Sequence, residues 1–275
     1  QMQRQEPNQM QRQELIECGP NGPLFMMTQS KGIYLLPNIL TTAGLLAGFF
    51  SIITATRAVY QGEGLFETAA IAILVSGLFD GLDGRVARLT NTQSEFGAQY
   101  DSLSDVVAFG VAPAVLVFSW SLSALGKLGW VAAFIYVAGT ALRLARFNVQ
   151  REIVDSNYFV GLACPAAAYF LAAAVWTLVD SNIQGETVAL TMVILTAVCG
   201  LLMVSSVPYP SFKNSDLKAR VPLLAIMAAA LIFALVSLDP PRVLFLLTGL
   251  YLLSGPGLWL RTKLGSKRHA AKEEE

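Results

Sequence analysis

The sequence predicts an all-α protein, a polytopic bundle of about eight transmembrane helices, and three observations support that fold class. The 275 residues are 54% hydrophobic and 14% charged, with a mean hydropathy of +0.54, which is too apolar for an ordinary soluble domain. Apolar stretches recur at about the length that crosses roughly 30 Å of hydrocarbon. The basic residues are spread very unevenly between the loops that separate these stretches.

The chain divides into three regions by composition. Residues 1–30 are polar and Gln-rich, with the hexapeptide Gln-Met-Gln-Arg-Gln-Glu at 1–6 repeated at 9–14. We expect this extension to be disordered, because its composition cannot bury a core. Residues 31–264 form the predicted transmembrane domain, and residues 265–275 form a charged C-terminal tail.

Eight apolar stretches follow in the transmembrane domain. We predict spans at 33–56, 65–87, 97–120, 127–146, 158–180, 187–208, 220–238 and 242–260. The third is the least regular because its first half carries Asp101 and Asp105, and without that half the count is seven.

Basic residues predict the orientation, since cytoplasmic loops retain Lys and Arg. With eight spans, sixteen of the 19 basic residues fall on one side, and the other side receives only Arg57, Lys127 and Arg242. This asymmetry favours an even number of spans. It predicts that both termini and the loops after spans two, four and six lie in the cytoplasm.

Several functional classes are disfavoured. Lys+Arg and Asp+Glu both number 19, so net charge does not indicate a nucleic-acid partner. Cys18, Cys164 and Cys199 lack the spacing of a zinc site or a disulfide framework. The single histidine, His269, lies in the charged tail, and the absence of a His-x-Lys pair excludes a phosphohistidine route of the phospholipase D type.

The candidate site is a group of four acids between the second and third spans. Residues 80–107 read DGLDGRVARLTNTQSEFGAQYDSLSDVV. Helical spacing places Asp80 and Asp83 on one face, and Asp101 and Asp105 on one face of the next helix. Two carboxylate faces can therefore converge at the membrane interface.

Carboxylates packed together in a membrane repel one another unless they share cations or protons. Oxygen ligands suit Mg2+ or Mn2+, and a pair of such ions can clamp a phosphoryl group. Gly84 and Gly97 would allow a ligand to approach the backbone, and Arg88 could bind phosphate oxygens. A proton relay or ion pathway in a cation-coupled transporter is the alternative, although the aspartate pattern has no second copy.

The segment resembles the signature of the CDP-alcohol phosphotransferase family, D-x-x-D-G-x-x-A-R-x8-G-x-x-x-D-x-x-x-D. It matches at every fixed position, namely Asp80, Asp83, Gly84, Ala87, Arg88, Gly97, Asp101 and Asp105. The resemblance implies two divalent ions, one held by Asp80, Asp83 and Asp101 and the second by Asp80, Asp101 and Asp105. It also implies that Asp105 is the general base on the acceptor hydroxyl, and that Gly84, Ala87, Arg88 and Gly97 line the CDP pocket.

Later motifs resemble the type II, membrane-embedded phosphatidylserine synthase branch of that family. They are RLARFN at 143–148, GLACPAAA at 161–168 and SFK at 211–213; the second departs from the branch pattern at Ala163, where proline is usual. The resemblance implies CDP-diacylglycerol and L-serine as substrates, phosphatidylserine and CMP as products, and a homodimer in the bacterial inner membrane. Glycerol 3-phosphate, inositol phosphate and choline remain alternative acceptors.

Further polar residues are candidates for substrate contact. Arg143, Arg146, Ser211 and Lys213 are the candidate acceptor- or phosphate-binding residues, and the basic ones could hold a serine carboxylate or the pyrophosphate of the donor. The alternative is positive-inside charge that meets lipid head groups. Asn38 and Thr41 begin the first span in a pattern that the family also shows, so they either touch the nucleotide or set the helix entry.

Overall fold

The computed structural model describes residues 35–150, 158–210 and 223–273, which are almost entirely helical. The helices are α1 (Leu35–Gln61), α2 (Gly64–Leu89), α3 (Glu95–Asp105), α4 (Ala112–Trp120), α5 (Lys127–Gln150), α6 (Cys164–Asp180), α7 (Ala189–Val204), α8 (Leu223–Leu238) and α9 (Pro240–Glu273). A π-helical turn, Val106–Val111, joins α3 to α4, so these two form one span. Residues 1–30, Ser211 and Lys213 lie outside the described residues.

The predicted class, a membrane helical bundle, is confirmed. Six helical segments in the described ranges are long and apolar enough to cross a membrane: Leu36–Gln61, Gly64–Leu89, Glu95–Trp120, Lys127–Val149, Gly185–Val204 and Pro240–Trp259. The other two predicted spans, α6 and α8, are helices of 17 and 16 residues. α9 is longer than its predicted span, because it continues to Glu273.

Helix α6 packs in the interior of the bundle. Cys164, Ala167, Ala168 and the run 170–175 are buried along its length, where it packs against α2, α4 and α9. Its many alanines allow the neighbouring helices to approach closely. Helix α6 thereby contacts both α2 and the π-helical turn after α3.

One end of the bundle differs from the prediction. Residues 158–160 form a strand, β1 (Tyr158–Val160), that pairs antiparallel with β2 (Pro208–Pro210). Between β1 and α6, Gly161 has a φ of +82°, and a Cβ there would lie 2.5 Å from the Met203 carbonyl oxygen. The predicted spans 158–180 and 187–208 therefore extend too far at this end.

Hydrogen bonds between helices show which helix ends lie together. Thr41, near the start of α1, contacts Asp83, near the end of α2. At the opposite end of the bundle, Arg242 forms ion pairs with Asp180 and Asp239 at 3.0 and 2.6 Å. The aspartates of the candidate site thus lie far from the Arg242 cluster. Among the described residues, Cys164 and Cys199 are free and buried.

Candidate metal centre and substrate site

A tight turn brings the two carboxylate faces together. Helix α2 ends at Leu89, and α3 begins after Ser94, whose Oγ accepts a hydrogen bond from the Gly97 amide at 3.0 Å. Such a serine cap satisfies one of the free amides at a helix start. Because the connection is short, the last turns of α2 lie near the aspartates of α3.

Three of the four aspartates form one cluster. Carboxylate oxygens of Asp80, Asp101 and Asp105 all lie within 4.8 Å of one another, and the carboxyl groups of Asp80 and Asp105 are in hydrogen-bonding contact. Two carboxyl groups this close need a proton or a cation between them. The cluster therefore meets the first requirement of a site for a divalent ion.

Asp83 lies beside the cluster and has its own partner. It is 5% exposed, and Thr41 donates a hydrogen bond from Oγ1 to Asp83 Oδ2 at 2.6 Å. All four aspartates line one narrow pocket between α1, α2 and α3. The remaining lining residues are Thr41, Gly44, Ser76, Ser104 and Ala108.

The donor set fits a hard divalent cation. It consists of carboxylate oxygens, joined in the pocket by the hydroxyl groups of Thr41, Ser76 and Ser104, and no thiolate or imidazole lines it among the residues that the structure describes. Oxygen ligands of this kind suit Mg2+ or Mn2+ rather than zinc. The aspartate cluster can therefore hold metal.

The residues expected around the nucleotide divide into two groups. Asn38 approaches Gly97: its Oδ1 would lie 3.6 Å from a Cβ at that position. On the other helix, a Cβ on Gly84 would meet nothing within 4 Å, and Arg88 is exposed, whereas Ala87 is half-buried. The site is thus walled by α1 at Asn38 and open beside the last turn of α2.

The basic residues of α5 differ in their surroundings. Arg143 is half-buried, and its Nη1 lies 3.9 Å from Cys164 Sγ at the start of α6. Its Nε is buried without a hydrogen-bond partner among the described residues. Arg146 is exposed. Of the two arginines in the RLARFN motif, Arg143 is the one that points into the protein.

Asn148, which the sequence motif contained without a stated role, connects α5 to the aspartate helix. Its Nδ2 donates to Ser102 Oγ at 3.0 Å, and Ser102 follows Asp101 directly. Ser104 in turn donates to the Thr41 carbonyl at 3.3 Å. The serines of the Asp-Ser-Leu-Ser-Asp sequence were the only signal for these contacts, and nothing in the sequence identified their partners.

A membrane bundle with an aspartate cluster that could hold metal at the turn between two helices indicates the class of protein, and comparison with known sequences agrees. The sequence model of the CDP-alcohol phosphatidyltransferase family matches residues 34–204, a range that spans α1 to α7 and the whole aspartate cluster. The chain belongs to the CDP-alcohol phosphatidyltransferase family.

Individual relatives indicate a branch of that family. The CDP-diacylglycerol–serine O-phosphatidyltransferase of Helicobacter pylori is 37% identical over 231 residues, which cover 83% of this chain and 92% of that protein. A protein of the same name from Mycobacterium leprae is 32% identical over 213 residues, or 74% and 68% of the two chains. An archaetidylserine synthase from Methanothermobacter thermautotrophicus is 34% identical over 177 residues, or 64% and 69%.

Proposed function

We propose that this protein is a CDP-diacylglycerol–serine O-phosphatidyltransferase that makes phosphatidylserine and CMP. The observation that carries the proposal is the full family signature on a converged aspartate cluster, in a chain similar to the H. pylori enzyme over 92% of that enzyme's length. The RLARFN motif adds support, because Asn148 joins it directly to the aspartate helix.

The proposed roles of the aspartates follow their arrangement. Asp80, Asp101 and Asp105 would hold one divalent ion, which agrees with their mutual distances, and Asp80, Asp83 and Asp101 would hold the other. Bound Mg2+ or Mn2+ would neutralise charge on the donor phosphates and acidify the acceptor hydroxyl. Thr41 would keep Asp83 turned toward the pocket through its hydrogen bond.

The proposed reaction is a direct displacement. The serine hydroxyl oxygen forms a bond to the phosphorus that carries diacylglycerol, the bond from that phosphorus to CMP breaks, and CMP leaves with the electron pair. Asp105 accepts the hydroxyl proton as general base. A carboxylate that also ligates metal is a weak base, but an acidified hydroxyl requires less of it.

The residues around the cluster would form two substrate sites, one for CDP and one for the acceptor. Asn38, Thr41, Gly84, Ala87, Arg88 and Gly97 would line the CDP site, with the open face at Gly84 admitting the nucleotide. Arg143, with its unpaired Nε, would bind the serine carboxylate, and Arg146, Ser211 and Lys213 would contribute to the acceptor or phosphate site.

We further propose that the active site and both termini face the cytoplasm of a bacterial inner membrane. The excess of basic residues on the aspartate side of the predicted topology supports this orientation. Such an orientation supplies soluble serine and releases soluble CMP, while the acyl chains stay in the bilayer. The family resemblance also supports a homodimer.

The decisive assay is CMP release from CDP-diacylglycerol by the purified protein with Mn2+ or Mg2+. We expect release to depend on L-serine, with phosphatidylserine as the lipid product. Glycerol 3-phosphate, inositol phosphate and choline serve as competing acceptors in parallel reactions. A protein that ignores serine and consumes glycerol 3-phosphate would refute the proposed acceptor but not the proposed class of reaction.

Replacement of Arg143 by Gln is expected to raise the KM for serine by about tenfold or more, with a smaller change in kcat, because a charge-assisted hydrogen bond to the carboxylate is lost. Steady-state CMP release at varied serine measures this change. Arg57→Gln, at the opposite end of the bundle, is the control. An unchanged serine KM together with a raised KM for CDP-diacylglycerol would assign Arg143 to the donor instead.

A further inference from the structure

Tyr169, on α6, packs against both helical segments that carry the aspartates. Its ring meets Phe109 edge to face, with centroids 6.1 Å apart and an interplanar angle of 87°. Phe109 lies in the π-helical turn, four residues after Asp105. Tyr169 therefore packs about one helical turn away from Asp105, on the side of the bundle interior.

The hydroxyl of Tyr169 lies against the backbone of α2 at Gly77. A Cβ on Gly77 would be 1.4 Å from the hydroxyl oxygen and 2.4 Å from the ring carbon that bears it. Every residue larger than glycine at this position would thus displace the tyrosine. The absence of a side chain at Gly77 creates the space that the hydroxyl occupies.

The same position brings the hydroxyl close to the turn over which Asp80 extends. Asp80 follows Gly77 by three residues, and helical side chains lean toward the N-terminus, so Asp80 extends over the turn that contains Gly77. The ring of Tyr169 in turn packs on Phe109, about one helical turn beyond Asp105. Tyr169 thus joins the turn that precedes Asp80 to the turn that follows Asp105, with its hydroxyl on the Asp80 side.

We propose that Tyr169 is a positioning residue for the metal centre: seated on Gly77, its hydroxyl orients Asp80, while its ring supports the turn that follows Asp105. The inference rests on the proposed metal-dependent function. Groups around the ligands commonly determine the orientation and basicity of those ligands. The signature motif does not include either Tyr169 or Gly77.

The first test is Tyr169→Phe, which removes only the hydroxyl. We expect the Kd for Mn2+, measured by titration of the free Mn2+ electron paramagnetic resonance signal, to rise about tenfold, the low end for loss of an outer-shell partner. CMP release should recover toward the parental rate at saturating Mn2+. The thermal unfolding midpoint of chelator-treated protein should stay unchanged, because the ring still packs on Phe109. Tyr60→Phe, at a position 89% exposed, is the matched control.

The second test moves the hydroxyl without removing it. Gly77→Ala is expected to weaken Mn2+ binding at least as much as Tyr169→Phe, because the new Cβ takes the place of the hydroxyl. Gly64→Ala, on the same helix with nothing within 4 Å, should bind Mn2+ normally. In a Tyr169→Ala background, Gly77→Ala should cause no further loss of Mn2+ affinity, since the clash is gone.

The outcomes separate this inference from the proposed function. Unchanged Mn2+ affinity in Tyr169→Phe would overturn the positioning role. If the KM for either substrate also rose in that variant, Tyr169 would be a substrate contact instead. Both results leave the proposed function intact if Asp101→Asn is inactive. Retained Mn2+ binding and activity in Asp101→Asn would instead overturn the proposed function itself.

Discussion

Replacement of Asp101 by Asn is expected to lower the rate of CMP release by roughly 1,000-fold or more. Asp101 belongs to both proposed ion sites, and its carboxylate lies within 4.8 Å of ligand atoms of Asp80 and Asp105. The amide removes a negative charge and one of two ligand oxygens. Metal ions contribute several kcal/mol of charge stabilisation to such reactions, and each 1.36 kcal/mol corresponds to a factor of ten in rate.

The variant should still insert and fold. Loss of one charge relieves repulsion within the aspartate cluster, so the bundle without metal should be at least as stable as the parental protein. Asp180→Asn is the matched control, because Asp180 is an exposed aspartate that pairs with Arg242 at the opposite end of the bundle. Near-parental CMP release by folded Asp101→Asn would contradict the metal-site assignment.

Removal of divalent ions is the second large effect that we expect. CMP release should fall to background in excess chelator and return when Mn2+ or Mg2+ is added back. Metal should also stabilise the fold, because a ligand that binds only the native state adds about 2.7 kcal/mol at a concentration 100 times its Kd. The thermal unfolding midpoint should therefore rise with Mn2+, and the rise should be lost in Asp101→Asn.

CMP release and the thermal unfolding midpoint report ion binding independently. Calcium is a useful comparison, because it binds oxygen ligands but tolerates a looser geometry than Mg2+. We expect it to raise the unfolding midpoint while supporting less CMP release than Mg2+. Full activity after exhaustive chelation, verified by elemental analysis of the protein, would show that the aspartates act without metal and would refute the two-ion proposal.

Local pattern was enough to predict much of this protein. A helix buries or exposes side chains at a fixed period, so hydropathy identified the spans, and the spacing of Asp80, Asp83, Asp101 and Asp105 identified two carboxylate faces. The structure confirms the membrane helical bundle and brings three of the four acids to within 4.8 Å of one another. The individual roles of these residues stay predictions.

The boundaries of two spans were predicted less well. Residues 158–160 are as apolar as the helix that follows, so hydropathy alone extended the fifth span through them. Their pairing with 208–210 depends on a contact between segments about 50 residues apart, and the local signs of the break are Gly161 and Pro165, which stands at the start of α6. A pattern read along the chain cannot identify a strand whose partner is so distant.

The sequence by itself determined the fold class, the family and the acids that can bind metal, because these depend on composition and on spacings of three or four residues within single helices. Only the tertiary structure decided what surrounds the acids. Thr41 on Asp83, Asn148 on Ser102 and Tyr169 on Gly77 each join residues from different helices, 42, 46 and about 90 positions apart. Helix packing alone sets such contacts, since the period of one helix contains no information on which neighbour it meets.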